Sequence, residues 1–210
     1  VQFLIMKGQF YEYGQDPSSL KWNQLTSPSF QLIFPEGYEN EANRALHILE
    51  NNKKANGEQL DFQPSSVPII FHNQTVRSNG FVSWAPKRSE FFTHADVNPI
   101  SQEWIKHLAL HEYRHVVQIE KLNQGFTRGL RTILGEMGIG PAAATLPFWF
   151  LEGDAVYAET SLSESGRGRM PEFEMPIKAH LLSDEKRFSY AKSYLGSYRD
   201  YVPSYYHYGY

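Results

Sequence analysis

The hydrophobic pattern of this chain changes near Asn98, and that change constrains the fold more than any other feature. Before it, short apolar runs such as residues 30–34 and 67–72 are separated by Pro, Gly and Asn, which is typical of β-strands. After it, apolar residues recur at helical spacing over longer segments. The sequence therefore predicts an α+β fold, in which a small mixed, partly antiparallel N-terminal sheet with helices precedes a mainly helical half.

This pattern also places the individual elements. A helix at 38–54 has its apolar residues on one side, and Gly57 follows its end. A long helix begins with Ser101 as its N-cap and runs to about residue 123. The other predicted elements are strands at 30–34, 67–72, 81–84 and 90–93, a loop or broken hairpin of helices at 134–147, and a helix at 149–160.

The length of 210 residues is enough for one large domain with a sizeable buried core. We expect a single domain over residues 1–210, with an N-terminal α/β part at about 1–123 and a helical C-terminal part at about 124–210. Because the chain begins without Met and ends on Tyr208-Gly209-Tyr210, we expect it to be a fragment of a longer protein.

Composition excludes several classes of function. The formal net charge of −3, without a basic stripe, argues against nucleic acid as a partner. The absence of cysteine excludes disulfides, thiol catalysis and thiolate metal ligands, so any metal must be bound by His, Asp or Glu. No apolar run approaches the roughly 18 residues that span a bilayer, so no transmembrane segment is predicted.

The segment His111-Glu112-Tyr113-Arg114-His115 lies within the long predicted helix and carries a metal-binding pattern. Residues four apart share a helix face, so both imidazoles can reach one ion. Glu112 follows the first histidine and can reach a water molecule bound to that ion. The alternative is a pair of ordinary core or surface histidines; the uninterrupted amphipathic helix around them favours the metal site.

Two histidines leave a catalytic zinc site short of a third protein ligand. Glu120 is on the same helix but is turned about 140° away from His115 at 3.6 residues per turn. Glu136 lies in a glycine-rich segment that is a poor helix. The remaining candidates downstream are Glu152 and Glu159.

The histidine segment, together with the run Trp149-x-x-Glu152-Gly153-x-Ala155, resembles the gluzincins, metallopeptidases whose third zinc ligand is a glutamate on a following helix. The second run is similar to that of their aminopeptidase-like branch, and the chain resembles the catalytic part of bacterial cell-envelope proteins of this kind.

The resemblance implies a thermolysin-like, zincin-type catalytic domain that binds Zn²⁺ through His111, His115 and Glu152, with Glu112 as the general base. It also implies a peptide or protein substrate and a possible C-terminal partner domain. Because 36 residues separate His115 from Glu152, more than in the best-known gluzincins, Glu136 remains the alternative third ligand.

The resemblance further suggests a substrate-binding strand at the edge of the sheet, formed by Gly80, Phe81, Val82, Ser83 and Trp84. Such a strand would bind an extended peptide by adding it to the sheet.

Other side chains are candidates for supporting roles. Asp154 and Glu159 could each accept a hydrogen bond from a metal-bound histidine, or could be ordinary solvated helix charges. By analogy with gluzincins, a Tyr or His of the C-terminal tail would stabilise the oxyanion, although each could equally serve packing. These tail candidates are Tyr201, Tyr205, Tyr206, His207 and Tyr208.

The leading functional prediction is hydrolysis of peptide bonds by a zinc-activated water. The alternatives are an inactive metal-bearing module that binds peptides or envelope partners, and a zinc hydrolase of a non-peptide amide or ester. The absence of cysteine and the resemblance together predict a periplasmic, cell-envelope or secreted location.

Overall fold

The computed structural model describes residues 16–97, 102–183 and 188–210, which form a mixed α+β fold. The strands are β1 (Trp22–Thr26), β2 (Phe30–Pro35), β3 (Val67–His72), β4 (Gly80–Trp84) and β5 (Lys87–Phe92). The helices are α1 (Glu39–Glu58), α2 (Trp104–Lys121), α3 (Gly125–Leu134), α4 (Gly140–Ala143), α5 (Phe148–Ser161), α6 (Pro171–Leu182), α7 (Tyr190–Leu195) and α8 (Tyr205–Gly209). Gly135–Ile139 and Arg167–Arg169 are 3₁₀ turns.

The five strands form one sheet in the order β1-β2-β3-β5-β4. The three central strands are parallel, whereas β1 and β4 pair antiparallel at the two edges, which confirms the predicted mixed, partly antiparallel sheet. Strand β4 coincides with the predicted edge strand. Strand β1 was not predicted, because its residues are mostly exposed and show no apolar alternation.

The core lies between the sheet and two helices. Alternate residues of β2 and β3 are fully buried and pack against the inner faces of α1 and α2, as a half-buried sheet requires. The predicted apolar side of α1 is therefore the side that packs. Its predicted end is wrong, since α1 continues to Glu58 and buries Gly57, where a Cβ would lie 2.4 Å from the carbonyl oxygen of Phe62.

The second half is helical, as predicted. Helix α2 begins at Trp104, with Glu103 at the N-cap position, and the predicted N-cap Ser101 lies outside the described residues. Helix α3 was not predicted, and short helical turns follow it over the segment expected to be a loop or a broken hairpin of helices. No helix within the three described ranges combines the length and apolar character needed to cross a membrane.

A buried histidine ties Asp16 to the sheet. His72, at the end of β3, has Nδ1 2.6 Å from Asp16 Oδ2 and Nε2 3.0 Å from Glu90 Oε2. Arg88 donates to the other oxygen of Glu90 at 2.5 Å. Burial opposes charge on His72, but hydrogen bonds to these two carboxylates raise its pKa. Both ring nitrogens face acceptors, so the imidazole donates from both and is protonated.

Candidate metal centre and cleft

Three predicted ligands converge on one point between α2 and α5. Nε2 of His111 lies 3.2 Å from Oε2 of Glu152 and 3.3 Å from Nε2 of His115. Nε2 of His115 lies 3.4 Å from the same glutamate oxygen. Within the described part of the chain, these residues form the one group of three His, Asp or Glu side chains whose ligand atoms all lie within 4.8 Å of one another. The group could hold a metal ion.

The second nitrogen of His111 is held by the predicted candidate Glu159. Nδ1 lies 2.9 Å from Oε2 of Glu159, whose side chain is completely buried. Arg167 fixes that carboxylate by donating from Nε at 2.7 Å and from its backbone N–H at 3.1 Å. Nδ1 and Arg167 Nη2, which lie 2.9 Å apart, both donate to this carboxylate, because it can only accept. Nε2 is therefore the nitrogen that can bind a metal, and it does so after losing its proton. Burial opposes the charge, but hydrogen bonds to Glu152 and Glu159 raise the pKa of His111 to about 9.

The second nitrogen of His115 is held by Gln118, which the sequence interpretation missed. Nδ1 lies 2.8 Å from Oε1 of Gln118, and the amide nitrogen of Gln118 donates to Leu151 O at 2.9 Å and to Asp154 at 2.6 Å. Arg114 donates to both oxygens of Asp154, at 2.7 and 2.6 Å. Asp154 therefore acts on His115 through Gln118. The sequence indicates this contact only through spacing, because Gln118 follows His115 by three residues on the same helix.

Glu112 faces the space beside the three converging ligands. It is buried, and its Oε2 has no hydrogen-bond partner in the described part of the protein. Burial raises its pKa, against the opposing charges of His111 and His115. Gly80 of β4 lies directly opposite, where a Cβ would come within 2.6 Å of Cγ of Glu112. Only glycine allows the edge strand to approach Glu112 so closely.

The other candidate ligands lie outside this group. Oε2 of Glu136, the alternative third ligand, accepts the backbone N–H of Lys87 at 2.9 Å, beyond the end of β4. Glu120 pairs with Lys87 at 3.7 Å and with Arg131 at 3.4 Å. Both carboxylates therefore have structural partners around the turn between β4 and β5.

Among the tail candidates, Tyr206 lies closest to the ligand group. Its ring centroid is 6.5 Å from that of His111, and the Arg167 guanidinium stacks on its ring at 5.2 Å. Burial, followed by the negative charge of Glu152, raises the pKa of Tyr206 well above its usual range. Tyr205 and His207 also line the cleft, whereas Tyr201 is 74% exposed.

The ligand group opens into a cleft of about 850 Å³. Along one wall of this cleft lie Gly80, Phe81, Val82 and Trp84 of the predicted edge strand, whereas Ser83 does not line it. The cleft is therefore bounded by an edge strand on one side and by the ligands on the other.

His107 is a further cleft residue that the sequence interpretation missed. It lies one turn before His111, stacks between Trp104 and His111 with centroid distances of 5.5 and 5.8 Å, and has its pKa lowered to about 4 by burial. Histidines at 107, 111 and 115 follow one another at intervals of four residues, so the sequence already indicated that all three lie on one face of the helix.

Comparison with descriptions of protein families, with curated proteins and with solved structures finds no match to this chain. The chemistry of the site therefore follows from its own geometry. Two imidazole nitrogens and a carboxylate oxygen could together hold a metal ion, and Glu112 lies beside them in the cleft.

Proposed function

We propose that this protein is a zinc metallopeptidase of the gluzincin type, with a thermolysin-like catalytic fold. The observation that carries the proposal is the spacing of the ligand atoms, 3.2, 3.3 and 3.4 Å. Ligand atoms around tetrahedral zinc, at bond lengths of about 2.1 Å, lie about 3.4 Å apart. The nitrogen and oxygen donors suit this ion, and each histidine is oriented through its other nitrogen.

Zinc bound here would lower the pKa of a water to about 7 and polarise a substrate carbonyl. Glu112 is the general base, since its buried Oε2 has an open acceptor position and its raised pKa suits it to take a proton. Glu112 would take this proton from the water as the water oxygen bonds to the carbonyl carbon, and would give it to the amine nitrogen as the C–N bond breaks. Tyr206 remains protonated because of its raised pKa, and it donates a hydrogen bond to the carbonyl oxygen as negative charge develops there.

The position of β4 at the edge of the sheet supports a peptide as the substrate. The carbonyl of Asn79 accepts a hydrogen bond from the N–H of Phe92 at 2.9 Å, so Asn79 and Phe92 form a hydrogen-bonded pair. Along an antiparallel ladder, every second pair is hydrogen-bonded and the pairs between them are not. The backbone groups of Gly80, Val82 and Trp84 therefore face away from β5, and all three residues line the cleft. An extended peptide can pair with these groups while its carbonyl lies beside Glu112.

Zinc content and peptide cleavage, measured on the parent protein and on Glu112→Gln, test this proposal. We expect one zinc per chain in both proteins, and cleavage of a broad peptide library by the parent alone. A parent that binds zinc and cleaves no peptide would instead indicate a metal-bearing binding module, or a hydrolase of another amide or ester.

The ligand assignment has its own matched pair of variants. Glu152→Ala should abolish zinc retention, because it removes one of the three converging ligand atoms. Glu136→Ala is the control, since Glu136 binds the Lys87 backbone, and it should retain zinc. The reverse result would contradict the assignment.

A further inference from the structure

Two contacts fix the direction of strand β4 relative to helix α2, the two elements on either side of the cleft. Near the start of β4, Gly80 packs against Glu112. Beyond the end of β4, Nζ of Lys87 lies 3.7 Å from Glu120, about two turns further along α2. Strand β4 and helix α2 therefore run in the same direction on opposite sides, and the metal ligands lie between the two ends of the cleft.

The end of the cleft near Trp84 is apolar. Ile119 of α2 lies one turn beyond His115, and Phe148 and Leu151 enter from the start of α5, which reaches this end because the Leu151 carbonyl accepts from Gln118 at 2.9 Å. Phe148 is 60% exposed, so much of its surface is open to a ligand. A large apolar side chain can therefore be removed from water at this end.

The opposite end, beyond Gly80, carries charged and polar side chains beside the ring of Trp104. His107 lies 3.5 Å from Oε2 of Glu159, and Arg167 is held by the same carboxylate. Asp96 also lines this end and interacts electrostatically with His107. A polar side chain can find hydrogen-bond partners here, whereas a large apolar one would desolvate these groups without replacing their partners.

Antiparallel pairing is slightly more stable per residue than parallel pairing. A peptide that pairs antiparallel with β4 runs from the Trp84 end toward the Gly80 end. Its residues before the scissile bond then lie at the apolar end, and its residues after that bond lie at the polar end.

Building on the peptidase function proposed above, we propose that the cleft selects peptides with a large apolar residue on the amino side of the scissile bond and a polar residue on the carboxyl side. The residues that set this preference are Trp84, Ile119, Phe148 and Leu151 on one side and Asp96, His107 and Arg167 on the other.

Digestion of a pooled peptide library by the zinc-loaded protein, with every cleavage position read by mass spectrometry, tests the proposal. We expect Phe or Leu before the scissile bond to raise kcat/KM by about 10- to 200-fold over Ala, the range of discrimination that hydrophobic pockets achieve. Ile119→Ser should reduce this ratio. The control Ile133→Ser changes an 81% exposed residue of α3 outside the cleft lining and should preserve the ratio.

His107→Leu probes the polar end separately. It should increase cleavage before apolar residues, and its cleavage is compared with that of the parent at equal zinc content because His107 stacks on His111. Cleavage that depends on Glu112 but shows no preference before the scissile bond, or prefers large apolar residues after it, would overturn this inference and leave the peptidase function standing. Absence of any Glu112-dependent cleavage would overturn both.

Discussion

A pair of glycines allows α8 to pack against α5 and thereby positions Tyr206. A Cβ built on Gly153 of α5 would lie 2.1 Å from the carbonyl carbon of Gly209 in α8. Helix α8 is little more than one turn long, so Tyr206 cannot keep its place when Gly209 moves. We therefore predict that Gly153→Ala displaces Tyr206 from Glu152 and slows the proposed reaction.

The size of the effect follows from the contact distance. To reach ordinary contact at 3.4 Å, the backbone of α8 must recede from α5 by about 1.3 Å. A misplacement of about 1 Å in an active site can lower the rate about 100-fold, and loss of one oxyanion donor costs about 100- to 1,000-fold. We expect kcat to fall about 100-fold, with a smaller change in KM because the β4 wall is unaffected.

The assay measures kcat, KM and zinc content for Gly153→Ala beside Tyr206→Phe and the control Gly129→Ala. Gly129 is a helical glycine of α3 with no atom near a built Cβ, so its replacement should stabilise the protein by about 1 kcal/mol and leave kcat unchanged. Gly153→Ala should retain zinc, because the three ligands and Glu159 do not move with α8. The double variant Gly153→Ala with Tyr206→Phe should be no slower than the slower single variant.

Two results would refute this reasoning. If Gly153→Ala keeps the parental kcat, the close approach of α8 to α5 does not position Tyr206. If Gly153→Ala loses zinc, its effect reaches the metal ligands through α5 and not through Tyr206.

Two further predictions concern other buried groups. Glu159→Gln should weaken zinc binding about 10- to 100-fold in a chelator competition while the folded structure is retained, because an amide orients His111 less firmly. The exposed control Glu164→Gln should bind zinc as the parent does. Equal affinities for all three proteins would contradict the role of Glu159. His72→Leu should lower the free energy of urea unfolding by about 3 kcal/mol near pH 6, because Asp16 and Glu90 lose the imidazolium between them and Glu90 keeps only Arg88. The pKa of His72 is raised in the folded state. The stabilisation by His72 is therefore complete below its unfolded pKa of about 6.5 and is lost as the pH rises through its folded pKa. The parent and the variant should differ less in unfolding free energy at pH 9 than at pH 6, and a difference that grows toward pH 9 would contradict this assignment.

The features predicted best from the sequence are those encoded by local periodicity. The inward face of α2, with His111 and His115 four residues apart, follows from helical spacing alone. The edge strand at Gly80 follows from a short β-rich run between an Asn-Gly pair and a proline. The predicted α+β class is confirmed for the same reason, because strands and helices leave different apolar periods.

The supporting groups were less predictable because tertiary contacts bring them in. Gln118 and Arg167 are polar residues without a motif, and each acquires its role only when α5 packs against α2. Tyr206 was one of several aromatic candidates in the tail, and its place beside His111 depends on the close packing of Gly209 on Gly153. Strand β1 was missed because an exposed edge strand needs no apolar alternation.

Apolar packing alone does not determine how α5 sits on α2. Large apolar side chains of α5 remain exposed at Phe148, Phe150 and Tyr157, while Ala155 and Val156 are buried, so apolar residues occur around the whole helix. A rotation or a one-turn shift of α5 could bury a similar apolar area. Directional contacts must therefore select the observed register.

Those contacts are the ones that orient the candidate ligands. Arg114, fully buried, binds both oxygens of Asp154, and Gln118 binds Leu151 and Asp154 together. A slip of one turn would leave a buried guanidinium without its carboxylate, a cost of several kcal/mol that no gain in apolar contact offsets. In the register that satisfies these groups, Oε2 of Glu152 comes within 3.4 Å of Nε2 of both His111 and His115. The polar network that specifies the helix packing therefore also sets the spacing of the ligand group.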